Sequence, residues 1–380
     1  MEIMEREAGT LTAKECLSKT ALLSKEDILA LEDSWCDLHN SNSVHGPHEE
    51  HAWIKVWLLS RDTAGLFGVG VWKEGTFVGF GMFQRAEYKR FGLRLPTIRF
   101  ASSGLFPWNR IITSKQHETD VIRSILNELS ELKPKPSLLE FESLPMDLPG
   151  GAVSLSAILE EMGRGTLQRI NKTSPYIPFK DYADYSQYAS KLGSEFKRQL
   201  RKSENRLRKK GESKFTSVVE NDLNEETLNT LFNVSARSWK ADIGTDIHSV
   251  PETSRFYKLY TPAQKKESEA LVWSLSIDGQ CVAFEYLLRF QKKLFAIRSD
   301  YDSSHKREQP GNVLMARGLE SCFESDIDEY NFTGQDYSYK YRWTKETREY
   351  IRIVCAFDGW LSGALLLARK TLDSLSQRSK

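Results

Sequence analysis

Residues 294–343 read LFAIRSDYDSSHKREQPGNVLMARGLESCFESDIDEYNFTGQDYSYKYRW. The stretch parses as a strand (Leu294–Tyr301), a polar loop, Pro310-Gly311, a helix (Asn312–Glu324), a second strand (Glu329–Thr333) and a polar-aromatic loop. Pro310 stands where a helix begins, a position that tolerates its missing N–H. Gly311 lets backbone approach a ligand closely. The first-turn amides from Asn312 to Met315 are expected to be free donors at the positive end of the helix dipole, a place for phosphate. A strand end, a Gly-containing loop and a helix N-terminus are the physical needs of a pyrophosphate cradle, although Pro-Gly before a helix is also a common structural loop.

Upstream, Leu271–Phe290 (LVWSLSIDGQCVAFEYLLRF) reads as two β-rich runs joined by Asp278-Gly279, and Gln291–Tyr301 continues the meander. Leu66–Phe83 (LFGVGVWKEGTFVGFGMF) has the same form around Lys73-Glu74-Gly75. One offset of 204 residues relates Gly75 to Gly279, Val78 to Val282, Phe80 to Phe284 and Trp35 to Trp239. Each Trp ends a helical run, Ser24–His39 in the first half and Asn224–Lys240 in the second. A constant offset shared by a helix end and a hairpin predicts two copies of one helix–hairpin unit. The two prolines of Thr173–Pro178 mark the boundary, giving units at 1–175 and 176–380.

The second unit opens with FKRQLRKSENRLRKKG (196–211), eight of whose residues are Lys or Arg. Phe196, Leu200, Ser203 and Leu207 make one helical stripe, and Gly211 supplies the stop. Such a helix can be a solvated face, or a positive surface that guides a polyanion such as a CoA phosphate, a nucleotide-linked sugar or tRNA. DNA is the weakest partner, because the 380-residue chain carries a net charge of only +1 and shows no helix-turn-helix or zinc pattern.

The remaining composition narrows the class. A chain of this length predicts two domains, and 40% hydrophobic residues suffice for a real core. Five scattered Cys suit a reducing cytoplasm rather than a disulfide framework. The charged N-terminus is no signal peptide, and Ala364–Ala368 is too short to span a membrane and is expected in a packed C-terminal helix. A cytoplasmic protein without an integral membrane segment is expected. His39, His45, His48 and His51 lie close together, but their spacing matches no usual zinc pattern, and no metal site is expected. No nucleophile elbow, Walker loop or dinucleotide fingerprint occurs.

The Tyr301-Asp302 pair ending a strand, Pro310-Gly311 opening a helix, and Asp336 followed by Tyr339-Lys340-Tyr341-Arg342-Trp343 resemble the GNAT acyltransferase superfamily. The likeness is to its tandem CelD-type branch and, more distantly, to Fem-type aminoacyl-tRNA transferases. The basic helix and the repeated strand-turn-strand units fit the same plan over roughly residues 20–360. The resemblance implies an α/β (α+β) fold of two GNAT-like units, with mixed central sheets flanked by helices. It implies acyl transfer, acetyl above all, from acyl-CoA to an amine acceptor, a small molecule or a glycan precursor of polysaccharide or cell-envelope synthesis. The implied base is Asp336, with Glu285 and Asp300 as alternatives; Tyr339 is the acid, and Lys340 pairs with an acidic or phosphate group of the substrate. Arg298, Ser299, Tyr301, Gln309, Gly311, Asn312, Val313 and Leu314 are the implied acyl-donor contacts, with a bulge around Ala296–Asp300 exposing backbone N–H groups. Each also has a structural reading: Asp336 can cap a turn, Tyr339 can be a core aromatic and Lys340 a surface charge.

The chain departs from the family pattern at Glu308, where the cradle has Gln or Arg, at Val313, and at Asn331, where the tandem branch often has Asp. The first unit, lacking a Pro-Gly counterpart at 106–107, is expected to be degenerate and to furnish cleft walls. Two other readings stand beside acyl-CoA transfer. One is an aminoacyl-tRNA-dependent transferase, with tRNA on the basic helix. The other is a non-catalytic scaffold of an envelope-assembly complex.

Overall fold

The computed structural model describes residues 18–90, 93–102, 104–263, 265–334, 336–357 and 363–364. The expected C-terminal helix at 364–368 therefore lies, save for its first residue, outside the described residues. In chain order the first half contains β1 (Ser18–Leu23), α1 (Lys25–Leu29), α2 (Trp35–Asn40), α3 (His51–Leu59), β2 (Leu66–Lys73), β3 (Thr76–Arg90), β4 (Leu93–Phe100) and β5 (Ile112–Thr113). It continues with α4 (Glu118–Ser130), β6 (Leu138–Leu144), α5 (Ala152–Glu161) and β7 (Thr166–Pro178). The second half contains α6 (Tyr185–Lys191), α7 (Ser194–Lys210), β8 (Ser213–Val219), α8 (Glu225–Ala236), α9 (Pro251–Tyr260), β9 (Ser268–Ile277) and β10 (Gln280–Phe290). It ends with β11 (Lys293–Tyr301), α10 (Pro310–Phe323), β12 (Glu329–Asn331) and β13 (Thr347–Ala356).

Both expected hairpins form, and their turns explain the sequence. Glu74 and Gly75 have φ of 53° and 81°, Asp278 and Gly279 46° and 81°, the left-handed pair that a two-residue hairpin loop requires. The repeat extends to a defect. Val78 is skipped in the β2–β3 ladder, where Val71 faces Gly79 and Trp72 faces Phe77. Val282 is skipped in the β9–β10 ladder, where Leu275 faces Ala283 and Ser276 faces Cys281. Residues 204 apart thus form the same bulge.

The helical runs fare differently. Ser24–His39 splits into α1, closed by a Ser24–Asp27 capping box, and α2. Tertiary bonds override helix continuation here. The Trp35 indole donates to the Glu49 carbonyl at 3.0 Å, and Asp37 accepts from the Phe77 amide at 3.0 Å. In the second half α8 stops at Ala236, and Trp239 follows it in a turn. The paired tryptophans diverge: Trp35 is 1% exposed and Trp239 41%.

The strands lie in the order β1-β2-β3-β4-β6-β13-β7-β12-β11-β10-β9-β8, with β5 against β3. Each half contributes an antiparallel meander and one parallel neighbour reached through a helix, β4 to β6 across α4 and β11 to β12 across α10. The last strand of each half then crosses over. β7 pairs with β12, and β13 inserts between β6 and β7. The division expected at 175/176 falls within β7.

Aromatic packing seals the halves together. Trp53 meets Phe256 and Tyr260 at 4.6 and 5.1 Å, and Phe106 and Trp108 meet Phe295 at 5.7 and 5.8 Å. Buried Glu50 adds a polar clamp, accepting from the Glu267 amide at 2.7 Å, the Lys266 amide at 3.2 Å and the Ser268 hydroxyl. Its neighbour Glu49 pairs with buried Arg110 at 2.7 Å and takes the Trp108 indole N–H at 3.2 Å. Although burial opposes ionisation, the Arg110 charge holds the Glu49 carboxyl down at about 2. The histidines expected to be metal-free stand in this packing. His48 stacks on Phe106 at 4.2 Å, His51 bonds the Ile28 carbonyl at 2.9 Å, and His39 lies 3.5 Å from Glu267.

Arg110→Met should strand the Glu49 charge and cost about 3–5 kcal/mol in urea unfolding at pH 7. The loss should shrink as pH falls and the stranded carboxyl takes up a proton, and a pH-independent loss would refute this account.

Candidate active site

β11 and β12 pair from Lys293↔Glu329 to Phe295↔Asn331 and then part. The bulge expected around Ala296–Asp300 is found at Ile297: Arg298 faces Tyr286 and Ala296 faces Leu287, leaving Ile297 over. Beyond Phe295 the β12-facing edge of β11 has no strand partner among the described residues, and the Thr333 hydroxyl donates to the Ala296 carbonyl there. A cavity of about 470 Å³ fills the opening, lined by β10, β11, the start of α10 and the loop after β12.

Eight residues, with a 3-10 turn at Ser303–His305, separate the end of β11 from α10. Gln309, at φ 51°, turns the chain into Pro310. The expected set of free amides is corrected here: those of Asn312 and Val313 both bond the Gln309 carbonyl, at 3.1 and 3.4 Å, because the left-handed Gln309 aims that carbonyl along the helix. The Gly311 amide has no acceptor among the described residues. Gly311 itself leaves room, since an added Cβ would only touch the Tyr301 ring at 3.6 Å. Deeper along α10, Gly318 cannot be anything larger, because a Cβ there would lie 2.2 Å from the Trp273 ring. That close approach seats α10 on the sheet.

Residues 194–341 match the acetyltransferase (GNAT) domain family. This part of the chain is a GNAT domain. Solved structures share the fold at low identity. The C-terminal DUF2156 domain described as that of a lysylphosphatidylglycerol synthetase from Agrobacterium fabrum superposes with TM-score 0.53 at 12% identity, over 92% of this chain and 97% of that one. FemX superposes with TM-score 0.54 at 9% identity, over 88% and 96%. A conserved protein of unknown function from Bacteroides thetaiotaomicron gives 0.51 at 12%, over 86% and 97%. No curated protein matches the chain by sequence.

Within the GNAT domain the residues singled out from sequence separate clearly. Glu285 on β10 lines the cavity, 4% exposed, and accepts a 2.6 Å bond from the Tyr330 hydroxyl. Burial pushes its carboxyl up to about 7, against the Tyr330 bond and the charges of Lys340 and Lys240. Asp300 also lines the cavity but is occupied: Lys240 at 2.6 Å, Arg298 at 2.7 Å and the Ser235 hydroxyl at 2.7 Å surround it. Tyr339 lines the cavity at 36% exposure beside Ser299; burial and the Glu285 charge raise its hydroxyl above the usual range.

Asp336 lies elsewhere, exposed and outside the lining, where it accepts the Tyr341 hydroxyl. The chain turns sharply at Ser338–Arg342, which puts Tyr339 toward the cavity and Asp336 toward solvent. Lys340 is buried and donates to the Phe332 and Thr333 carbonyls at 3.1 and 2.7 Å, so it is no surface charge.

Of the expected donor contacts, Ser299, Tyr301, Gln309, Gly311, Asn312 and Leu314 line the cavity. Arg298 turns to Asp300 and the Thr245 carbonyl, and Val313 faces the core. Glu308 is buried outside the lining, and Asn331 accepts the Ser174 hydroxyl at 3.3 Å and the Thr333 amide at 2.9 Å. The sequence reading missed Trp239, Lys240, Lys306 and Arg342 on the lining, and Tyr330 behind Glu285. The repeat pointed at Trp239 without giving it a role, whereas Tyr330 reads as a plain strand aromatic.

Among the described residues no helix is long and apolar enough to cross a membrane, and no cluster of His, Cys, Asp or Glu could hold a metal ion.

The carboxyl of Glu285 makes a pH-linked prediction. Its native pKa of about 7 exceeds the ordinary 4.5, so between these values the native state holds a proton that the unfolded chain has lost. Stability from this group is full below pH 4.5 and falls as pH rises through 7. Glu285→Gln, which keeps an acceptor for Tyr330, should therefore gain on the order of 3 kcal/mol over the wild type between pH 4.5 and 8 in denaturant titrations. Parallel stability–pH curves would disprove the burial argument.

Proposed function

We propose that the chain transfers an acyl group, acetyl first, from acyl-CoA to an amine acceptor. The observation that carries this reading is a buried carboxyl, held near neutrality on the cavity wall, on the strand that pairs with the bulged β11. The donor supplies an activated thioester carbonyl. In this reading backbone N–H groups of β11 past the Ile297 bulge meet the negative charge growing on that carbonyl. Glu285, half ionised near pH 7, takes the proton from the attacking amine. Tyr339, on the same cavity, returns a proton to the departing thiolate. Gly311, Lys306 and Arg342 meet the donor's phosphates at the other end of the cavity. Asp336 is left to the loop, and Asp300 holds Lys240 and Arg298 in place.

The first unit, 1–175, serves as a wall in this reading. Its counterpart opening measures only about 50 Å³ and is lined by Glu49 and Arg110. An acceptor from polysaccharide or envelope synthesis, and a cytoplasmic location, rest on the family resemblance.

A second reading has its own observation. Arg201, Lys202, Arg208, Lys209 and Lys210 of α7 are exposed, and α7 touches the cradle through Ser203–Gln309 at 3.2 Å and Arg206 to the Arg307 carbonyl at 2.8 Å. A charged tRNA as acyl donor would use such a surface.

Calorimetric titration of acetyl-CoA and longer acyl-CoAs should give saturable binding that Gly311→Trp weakens at least about tenfold by filling the cradle. No binding of any acyl-CoA would sink the reading, and binding that survives Gly311→Trp would sink the placement. Salt-sensitive binding of charged tRNA, abolished by Lys209→Glu with Lys210→Glu, would then favour the second reading. With a responsive acceptor, the wild-type rate should rise with pH through about 7. Glu285→Gln should lower kcat about 10²–10⁴-fold while leaving acyl-CoA binding intact.

A further inference from the structure

The hydrogen-bond alternation of the β10–β11 ladder fixes which way each β11 residue faces. The Asp302 amide donates to the Val282 carbonyl at 2.8 Å. Val282 and Asp302 are thus a hydrogen-bonded pair, in the same register that sets Phe284 against Asp300 and Glu285 against Ser299. Hydrogen-bonded and non-hydrogen-bonded pairs alternate along an antiparallel ladder, so Glu285 and Ser299 form a non-hydrogen-bonded pair. The N–H and C=O of Ser299 therefore both point away from β10, toward the edge that β12 has left. The Lys240 ammonium meets Ser299 on that side, donating to its carbonyl at 2.8 Å. The Ser299 amide has no acceptor among the described residues.

Half-buried Lys240 comes from the turn after α8 and lines the cavity together with Ser299 and Glu285. Its Nζ stands 2.6 Å from the buried Asp300 carboxylate. Arg298 pairs with the same carboxylate at 2.7 Å, and the Ser235 hydroxyl donates to it at 2.7 Å. One carboxylate thus serves two cations, and the cluster keeps a net positive charge. Arg298 turns its remaining donors to Ser235 and the Thr245 carbonyl, at 3.1 and 3.0 Å, and stays off the cavity lining. Lys240 is the cation of the cluster that reaches the cavity. An ammonium has three N–H donors, of which Ser299 and Asp300 account for two.

We propose that Lys240 is a catalytic residue: its ammonium and the Ser299 amide together hold the thioester oxygen of the acyl donor. The inference rests on the acyl-transfer reading and adds a full charge where that reading uses backbone dipoles. The N–H and C=O of an extended residue leave the strand side by side, so an oxygen held by the Ser299 amide lies next to the ammonium on the Ser299 carbonyl. As the amine nitrogen bonds the carbonyl carbon, the C=O π pair moves onto oxygen. When the C–S bond breaks, that pair returns and the thiolate leaves. The amine's proton goes to Glu285, and Tyr339 protonates the thiolate. Lys240 stays protonated throughout and acts through its charge, in a cavity where charges are poorly screened. Asp300 keeps the ammonium aimed without cancelling it, because Arg298 shares the carboxylate.

The test follows the carbonyl itself. Acetyl-CoA, isotope-labelled at the thioester carbonyl carbon, is bound to the full chain without acceptor and read by carbon NMR and difference infrared spectroscopy. On the wild type the carbonyl should move downfield and to a lower stretching frequency. Lys240→Met should lose most of that shift while binding acetyl-CoA within about threefold of the wild type. Asp300 stays paired with Arg298 in this variant, so no buried carboxylate is stranded. Lys240→Arg, which retains the charge, should keep more of the shift than Lys240→Met. If Lys240→Met fails to fold, Lys240→Gln, which keeps a polar side chain without charge, should lose the shift in its place. With a responsive acceptor, Lys240→Met should lower kcat about 10²–10³-fold with little change in KM for acetyl-CoA. A merely structural lysine would lower stability on removal and leave the bound carbonyl where it is. Acetyl-CoA that does not bind the wild type overturns the acyl-transfer reading and this inference with it. Binding with an unshifted carbonyl, or a full shift in Lys240→Met, overturns the role of Lys240 alone.

Discussion

One hydrogen bond organises the second half of this molecule: the Tyr330 hydroxyl on the Glu285 carboxyl, largely buried at the wall of the cavity. A lone buried acid would be driven neutral and out of use; a single phenol donor leaves it poised instead. Keeping that donor in place takes a column of residues. Tyr330 stacks under Trp273 at 5.9 Å and 10°, and Trp273 is covered by α10 at the point where Gly318 has no side chain. The helix that begins at the cradle and the strand that carries the acid are thus positioned by the same contact. Loosening one end of the column would move both halves of the chemistry.

The doubled architecture divides labour without dividing the core. The same hairpin, bulge and crossover occur twice, yet the first copy fills its opening with Glu49, Arg110 and the Phe106–Trp108 aromatics, while the second keeps about 470 Å³ open. The filled copy is not idle. Its loop 105–106 supplies the carbonyl that Lys172 holds, and its rings back the Phe295 end of β11.

Much of this was legible in the residues, and what was not has physical causes. The hairpins were legible because Glu-Gly and Asp-Gly must take positive φ, a local property. The strand–Pro-Gly–helix–strand order around α10 was legible for the same reason, whereas the bulge region of β11 was expected only from the family resemblance. Strand partners were not: nothing local in Thr166–Pro178 or Thr347–Ala356 says that each will complete the other half's sheet. Asp336, the base that the family resemblance implied, stands exposed and off the cavity lining, in the loop before the turn at Ser338–Arg342. Glu285, named as an alternative from its strand, gains its tuning from Tyr330, which is 45 residues away. The Ser24–His39 pattern reads as one helix until the Trp35 indole finds the Glu49 carbonyl.

The crossing of β7 and β13 has a consequence for descent. Two copies that complete each other's sheets with their last strands are what a strand-swapped homodimer becomes when its subunits are joined end to end. In a symmetric dimer every substitution appears in both openings at once. Fusion breaks that bond: one opening can fill while the other stays open, and the shared strands keep the two from drifting apart. The first opening holds Glu49 in an ion pair with Arg110; the second leaves Glu285 with the Tyr330 hydroxyl and an open cavity.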